Sequence, residues 1–458
     1  MSDLASMQPD RSAHSWDGHH GSRRNPWGRA IVHWTILTTI LLLFYSKALA
    51  TFVPVFGFVD ELVLLVALML LPHSLLSKTS QNGLRLLAIV IFATAMWFML
   101  ASFIWGDGRL ASGRAVFYTI LGSFVHVKLF LFCWLGLFLV HFSFVRISGR
   151  FITFLIVTMM VGFAFNHLAE STFLATFPIE LSERFGTKRI VGFHLTNVAG
   201  PTFFALFLIS RLADSVQKHG RLPLTHFTTA TVLVLYIFVI STTRSAIISY
   251  FIGVMLVVIG TQSGRWLIVG LSAITAILSM FAGNLGLQDI EIIQSGQSML
   301  RGLFVEPDIR ISRSIMMYYG SQLALDHFPV GIGVANYASP YAEHSPIYNQ
   351  LGLSGLIYIQ AYNGVIDSNL ASIFGELGYL GLALIITNLA LLWRVALKNT
   401  TGAGMFISYI ALIIVMNSVT SPVFFKGDWC VTFAILLMKF WQGRSRQPNS
   451  EWNKPHAS

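Results

Sequence analysis

VIDSNLASIFGELGYLGLALII, residues 365–386, puts acids at the mouth of a greasy helix: Asp367 stands just outside it and Glu376 lies about two turns in. A charged side chain at mid-span costs about 2.5–3.5 kcal/mol on insertion scales, and intramembrane acids usually face an internal cavity with a partner. Counted from Asn369, Glu376 lies about 10 Å along a helix. Asn369 and Glu376 then share nearly one face, with Ser372 about 60° away, which makes a polar stripe. Gly375, Gly378 and Gly381 make a second, small-residue stripe that would let another helix approach closely. Glu376 is a cavity carboxylate that touches an acceptor or orients an arginine, or else a structural salt bridge or a neutral acid. Asp367 has the same two sides: a general base for a hydroxyl, or a cap on the helix start.

The rest of the chain has the same character. Of its 458 residues, 55% are hydrophobic and 11% charged, with mean hydropathy +0.68; soluble domains average about 25% charged. Apolar runs of about 20 residues recur and are continuous rather than alternating, so the expected fold is all-α, a polytopic helical membrane protein and not a barrel. Twelve spans are expected, near 31–52, 57–72, 85–105, 120–145, 151–168, 196–212, 225–242, 245–261, 266–283, 369–393, 403–420 and 428–442. The fourth is the least regular, and its first part reads also as re-entrant or interfacial. The net charge of +10 sits mostly in short loops, so it reads as the positive-inside signal and not as a nucleic-acid surface. Arg11, Arg23, Arg24, Arg29, Lys78, Arg85, Arg146, Arg150, Lys218, Arg221, Arg265, Arg394, Lys398, Arg444, Arg446 and Lys454 fall on one side, which makes both termini cytoplasmic.

The organisation expected is a disordered tail (1–29), spans one to nine (30–283), a large periplasmic loop with amphipathic helices (284–368), spans ten to twelve (369–442) and a short cytoplasmic tail (443–458). Ala48-Leu49-Ala50 mimics a signal-peptide cleavage site, but the polar region before it is too long. Cys133 and Cys430 lie in apolar segments without metal or redox spacing and read as packing residues.

The large loop holds the chemistry. ISRSIMMYYGSQLALDH (311–327) has an amphipathic helical period, and FPVGIGVANY (328–337) follows. Pro329, Gly331 and Gly333 stop the helix and give a turn whose backbone can approach a ligand closely. Arg313, Asp326-His327, Pro329-Val330-Gly331-Ile332-Gly333, Asp367-Ser368 and Glu376-Leu377-Gly378-Tyr379-Leu380-Gly381, in that order, resemble the O-antigen polymerase/ligase superfamily of the bacterial envelope. STTRSAII (241–248) is similar to that family's Ser/Thr-Arg turn, with Arg244 on the outer side. The resemblance covers about 235–395.

The resemblance implies a multi-span glycosyltransferase in the inner membrane, with no metal, nucleotide or other cofactor. Its donor would be a saccharide on a polyprenyl diphosphate. The acceptor would be another lipid-linked repeat unit in a polymerase, or the lipid A core in a ligase. A protein that regulates chain length is a possible partner. The residues fit independently: a diphosphate leaving group gathers negative charge, and arginines hold phosphate with two-pronged geometry. Arg244 and Arg313 are the candidates, with Arg310 behind them. Arg244 reads equally as a helix-end anchor at the headgroups, and Arg313 as a surface arginine of a helix lying on the membrane. Asp367 stands where ligases of the family carry His, which favours a polymerase.

Other groups compete. His344 is the base if Asp367 only caps. Asp60 and Glu61 sit together in the first outer hairpin, either catalytic or interfacial. His194 follows Lys188-Arg189, a run that suits lipid headgroups better than an anionic sugar. Tyr337, Tyr341, Tyr348, Tyr358 and Tyr362 could stack on sugar rings, although interfacial tyrosine is common. A flippase or transporter is the alternative class. It should show broken helices in paired positions, and Gly200-Pro201 is the one strong break.

Overall fold

A computed structural model describes residues 26–76, 82–106, 113–141, 147–179, 190–194, 199–219, 312–343, 345–362, 365–398 and 422–444, with shorter pieces at 183–184, 187–188, 228, 231–233, 236–237, 250–255, 410–411, 413–415 and 417–418. The architecture is all-α and polytopic. The helices are α1 (Pro26–Phe44), α2 (Val59–Leu76), α3 (Asn82–Trp105), α4 (Gly113–His126), α5 (Lys128–His141), α6 (Gly149–Leu168), α7 (Ala199–His219), α8 (Ser312–Asp326), α9 (Gly378–Lys398) and α10 (Gly427–Arg444). A two-residue hairpin, with Glu183 opposite Lys188, is the strand structure among the described residues.

Among the described residues, four helical stretches are long and apolar enough to cross a bilayer: Pro54–His73, Asn82–Trp105, Gly149–Leu168 and Asn369–Leu397. The expected fourth span is a bent pair, Val116–His126 and Lys128–Val140, with 55° between them. The irregularity in the sequence therefore marks a break at Val127. Expected spans at 225–242, 245–261, 266–283 and 403–420 fall largely or wholly outside the described residues.

The bundle is organised around α5 and α10, which pack on each other along their lengths and are buried almost throughout. Phe130, Cys133, Trp134, Leu137, Trp429, Cys430, Phe433 and Leu437 fill the centre. Helices α2, α3 and α6 surround it and leave apolar side chains outside: Leu65 and Met69, Ile89, Phe92 and Leu100, and Phe154, Val157 and Val161 are all exposed. Such faces would be an aggregation liability in water; against lipid tails they are the ordinary exterior of a bundle.

The loop has its own small core. Helix α8 forms as its amphipathic period predicts, burying Ile315, Met316, Gly320, Leu323 and Ala324. Tyr337, Tyr348, Leu353, Ile359 and Val365 complete it. The chain re-enters the bundle through Asn369–Ser372, then a π-helical turn at Ile373–Leu377, and only then α9. Single π-turns inside a helix often sit at functional sites.

Candidate functional site

Glu376 lies inside that π-turn and is 0% exposed. Its Oε1 accepts from the backbone N–H of Asn336 at 2.8 Å, the N–H of Tyr337 at 2.9 Å and the Ser339 hydroxyl at 2.6 Å. Its Oε2 lies 2.7 Å from His126 Nε2 and accepts from the Ser372 hydroxyl at 3.4 Å. A carboxylate only accepts, so His126 Nε2–H is the donor. Every lone-pair position is used. Sequence reasoning allowed Glu376 as a cavity carboxylate touching the acceptor; the structure instead makes it a clamp closed on all sides by protein donors.

The clamp explains the glycines. Gly331 and Gly333 have φ of 68° and 89°, which suits residues without a Cβ. Ile332 N–H donates to Gly375 O at 2.9 Å, and Gly333 N–H to Glu376 O at 2.9 Å. A Cβ on Gly331 would stand 2.7 Å from the backbone of Gly375 and Gly378. The turn expected to approach a ligand closely thus approaches the π-turn. The small-residue stripe receives this turn and not another helix: a Cβ on Gly378 would meet Pro329 O at 2.5 Å, and one on Gly375 would run into the Tyr337 ring.

Helix α8 runs beside the re-entering segment in the same direction. Ser368 Oγ donates to Met317 Sδ at 3.4 Å, a Cβ on Gly320 would touch Ala371 O, and Leu380 N–H donates to Pro329 O at 3.0 Å. The offset between partners is constant along both segments, so Arg313 and Asp367 come to the same end. Arg313 is partly buried in the first turn of α8. Asp367 closes the 3₁₀ turn Val365–Asp367. The helix cap is Ser368, whose hydroxyl accepts from Ala371 N–H at 3.3 Å. Asn369 Oδ1 accepts from Phe424 N–H at 2.9 Å. Arg244, Arg310 and His344 lie outside the described residues.

The tyrosines serve the loop itself. Tyr337 donates to Met316 O at 2.7 Å, Tyr362 donates to Ser339 O at 2.6 Å, and Tyr348 accepts from Ala338 N–H at 3.0 Å. Burial holds the Tyr337 and Tyr362 phenols above their usual range and takes Tyr358 up to about 12. Tyr341 stacks on Tyr118 at 5.5 Å; burial, then the nearby Glu61 and Asp60, raise it too.

Two groups were missed in the sequence. His126 and Lys128 flank the break between α4 and α5, each 1% exposed. Lys128 Nζ lies 2.5 Å from Asp60 Oδ2 and 3.7 Å from Glu61 Oε1. The bend is therefore pinned on one side by Glu376 and on the other by the acidic hairpin. Ionisable residues two apart in an apolar run were the available signal. His194 is buried between Phe44 and Phe163. Among the described residues no cluster of His, Cys, Asp or Glu could hold a metal ion.

Residues 229–386 match a family model described as O-antigen ligase. Over that segment the match supports the resemblance to the O-antigen polymerase/ligase superfamily. The match takes in α8, the glycine turn, Asp367 and the Glu376 clamp; His126, Lys128 and Asp60 lie before it. No curated protein matches the chain. Together with the apolar helices, the match supports a multi-pass membrane protein whose 229–386 segment is of the O-antigen ligase/polymerase type.

Proposed function

We propose that the chain is a polymerase of O-antigen or exopolysaccharide repeat units, acting at the periplasmic face of the inner membrane. The growing saccharide on a polyprenyl diphosphate is the donor, and a second lipid-linked repeat unit is the acceptor. The acceptor hydroxyl attacks the anomeric carbon, its proton passes to the Asp367 carboxylate, and the anomeric C–O bond to the diphosphate breaks. Arg313, with Arg244 and Arg310, offsets the charge that gathers on the departing diphosphate. His344 is the base if Asp367 serves only in binding. No step calls for a metal.

The observation that carries this reading is the pairing of ends: α8 and the re-entering segment run parallel, so Arg313 and Asp367 share one end. The cap is Ser368, and Glu376 is saturated by its five donors. The second reading is a ligase to the lipid A core, favoured by the description of the matched family model; an acid at 367, where ligases of the family carry His, speaks against it. The test is transfer in membranes from cells making Asp367→Asn or Arg313→Ala. Both are expected to abolish transfer at normal protein level, and normal product from both sinks the assignment.

A further inference from the structure

Two features of the sequence, the acid pair Asp60-Glu61 and Tyr341, have no place in the chemistry above, yet the fold brings them together. Gly122 of α4 makes room for the Tyr341 ring, since a Cβ there would come within 3.5 Å of it. One turn away on the same helix, Tyr118 takes that ring in a parallel stack, with centroids 5.5 Å apart and planes 16° from each other. Both tyrosines are half-buried. The charged neighbours of Tyr341 are Glu61 and Asp60. Lys128 stands behind the acids at 1% exposure, whereas Asp60 and Glu61 are 17% and 36% exposed, so a ligand that reaches the tyrosines meets carboxylates. Lys47 and Lys426, two further lysines nearby, attend Asp428. Pinning the bend at Val127 accounts for Asp60, which lies 2.5 Å from Lys128. It does not account for Glu61. Its Oε1 is 3.7 Å from that lysine, and its Oε2 is buried and takes no hydrogen bond among the described residues. A stacked aromatic pair beside carboxylate acceptors suits a pyranose: the rings cover its C–H face and the carboxylates take its hydroxyls.

This cluster is joined to the site from two directions. Ser339, two residues before Tyr341, donates to Glu376. On the other side Asp60 packs against Gly427, where a Cβ would meet its Oδ2 at 2.5 Å. Phe424 of the same turn donates to Asn369, two residues after Asp367. The chain from Phe424 to Gly427 spans no more than about 11 Å. We propose that Tyr341, Tyr118 and Glu61 form a saccharide subsite for the acceptor repeat unit, which selects neutral or amino sugars over acidic ones. The proposal rests on the polymerase reading for the identity of the acceptor. With the attacking hydroxyl at Asp367, the tyrosines receive a later sugar of the same unit. Its hydroxyls or its ammonium donate to Glu61. A uronate is turned away, because its carboxylate has no proton to donate and meets like charge. Tyr118 and Glu61 lie before the segment that the family model matches, so this selectivity belongs to a part of the chain outside the shared chemistry.

The test is saturation-transfer NMR on the full chain in detergent, with methyl glucoside, methyl glucosaminide and methyl glucuronide as probes. The first two are expected to bind and the third is not. Tyr341→Ala and Glu61→Ala should each weaken binding of the glucoside by about tenfold. Tyr341→Phe keeps the ring and should keep the binding, and Phe117→Ala, on the exposed face of α4, should leave it unchanged. Glu61→Lys should reverse the preference and admit the glucuronide, a gain that a misfolded chain does not show. Equal binding of glucuronide and glucoside by the parent overturns the proposal. So does the absence of binding by every probe, or full binding by both Tyr341→Ala and Glu61→Ala. The two readings fail separately: a strain lacking the gene that still polymerises normally condemns the polymerase reading, whereas unaltered sugar binding in these variants beside lost polymerisation in that strain condemns the subsite alone.

Discussion

Replacing Glu376 separates a structural clamp from a reacting group. In Glu376→Ala, the N–H groups of Asn336 and Tyr337 and the Nε2–H of His126 lose their acceptor in a site of 0–1% exposure. The Ser339 and Ser372 hydroxyls can turn to other partners. Orphaned buried donors cost about 1–3 kcal/mol each, so three put the loss at no less than about 3 kcal/mol. Whole domains have about 5–15 kcal/mol to lose. Glu376→Gln is different. Its amide oxygen can keep the Oε1 partners, and its NH₂ can face His126 once that ring moves its proton to Nδ1. The cost should then be about 1 kcal/mol for each bond that loses its charge, offset by the desolvation penalty of a buried carboxylate that the neutral amide avoids. The assay is thermal unfolding of the full chain in detergent, followed by gel filtration, beside transfer in membranes. Glu376→Gln should melt near the parent and still transfer; Glu376→Ala should melt far lower. Unchanged melting with transfer lost in Glu376→Gln would make Glu376 a reacting group and refute the reasoning, as would parental melting of Glu376→Ala.

Gly378→Ala forces a side chain onto φ 62° and into Pro329 O; the conformation alone costs about 1–2 kcal/mol, so melting should fall, while Gly355→Ala, in open space, should melt as the parent does. Asp60→Asn weakens the hold on Lys128, and breaking a buried pair costs about 3–5 kcal/mol; adding Lys128→Met should recover part of the lost melting temperature. The raised Tyr337 and Tyr362 phenols are neutral in the fold at a pH where the unfolded chain's tyrosines, near about 10, ionise. Their contribution is full below that value and lost as pH rises through the folded ones, so alkaline ultraviolet titration should show late phenols that appear together with unfolding. Transfer by purified protein should survive a chelator, and a loss restored by added cation would contradict the arginine-based mechanism.

Much of this was legible in the sequence because bilayer physics writes itself in long runs. The apolar stretches gave the all-α class, and the period of 311–327 gave α8. Arg313, Asp367 and the glycine turn were singled out by the family resemblance and by the chemistry of their residue types. What was not legible depends on long-range closure. Glu376 reads as an acid facing a cavity until His126, 250 residues away, is brought to 2.7 Å. The spacing of Gly375, Gly378 and Gly381 suits a helix–helix contact, but a positive φ at Gly378 makes it a seat for the turn. The break at Val127 left only a hint, because an apolar run has the same composition whether straight or bent. Neighbouring polar residues also take tasks that composition does not show: the helix cap is Ser368.

The central claim is polymerisation of lipid-linked repeat units, and it is tested most directly by a gel of surface and lipid-linked polysaccharide from a strain lacking the gene, beside its parent. The account predicts single repeat units, at the surface or held on the lipid carrier, and no long chains. Long chains accumulating on the carrier with none on the lipid A core would make the enzyme a ligase and contradict the role given to Asp367. Normal long polymer would contradict the account altogether and turn attention to transport.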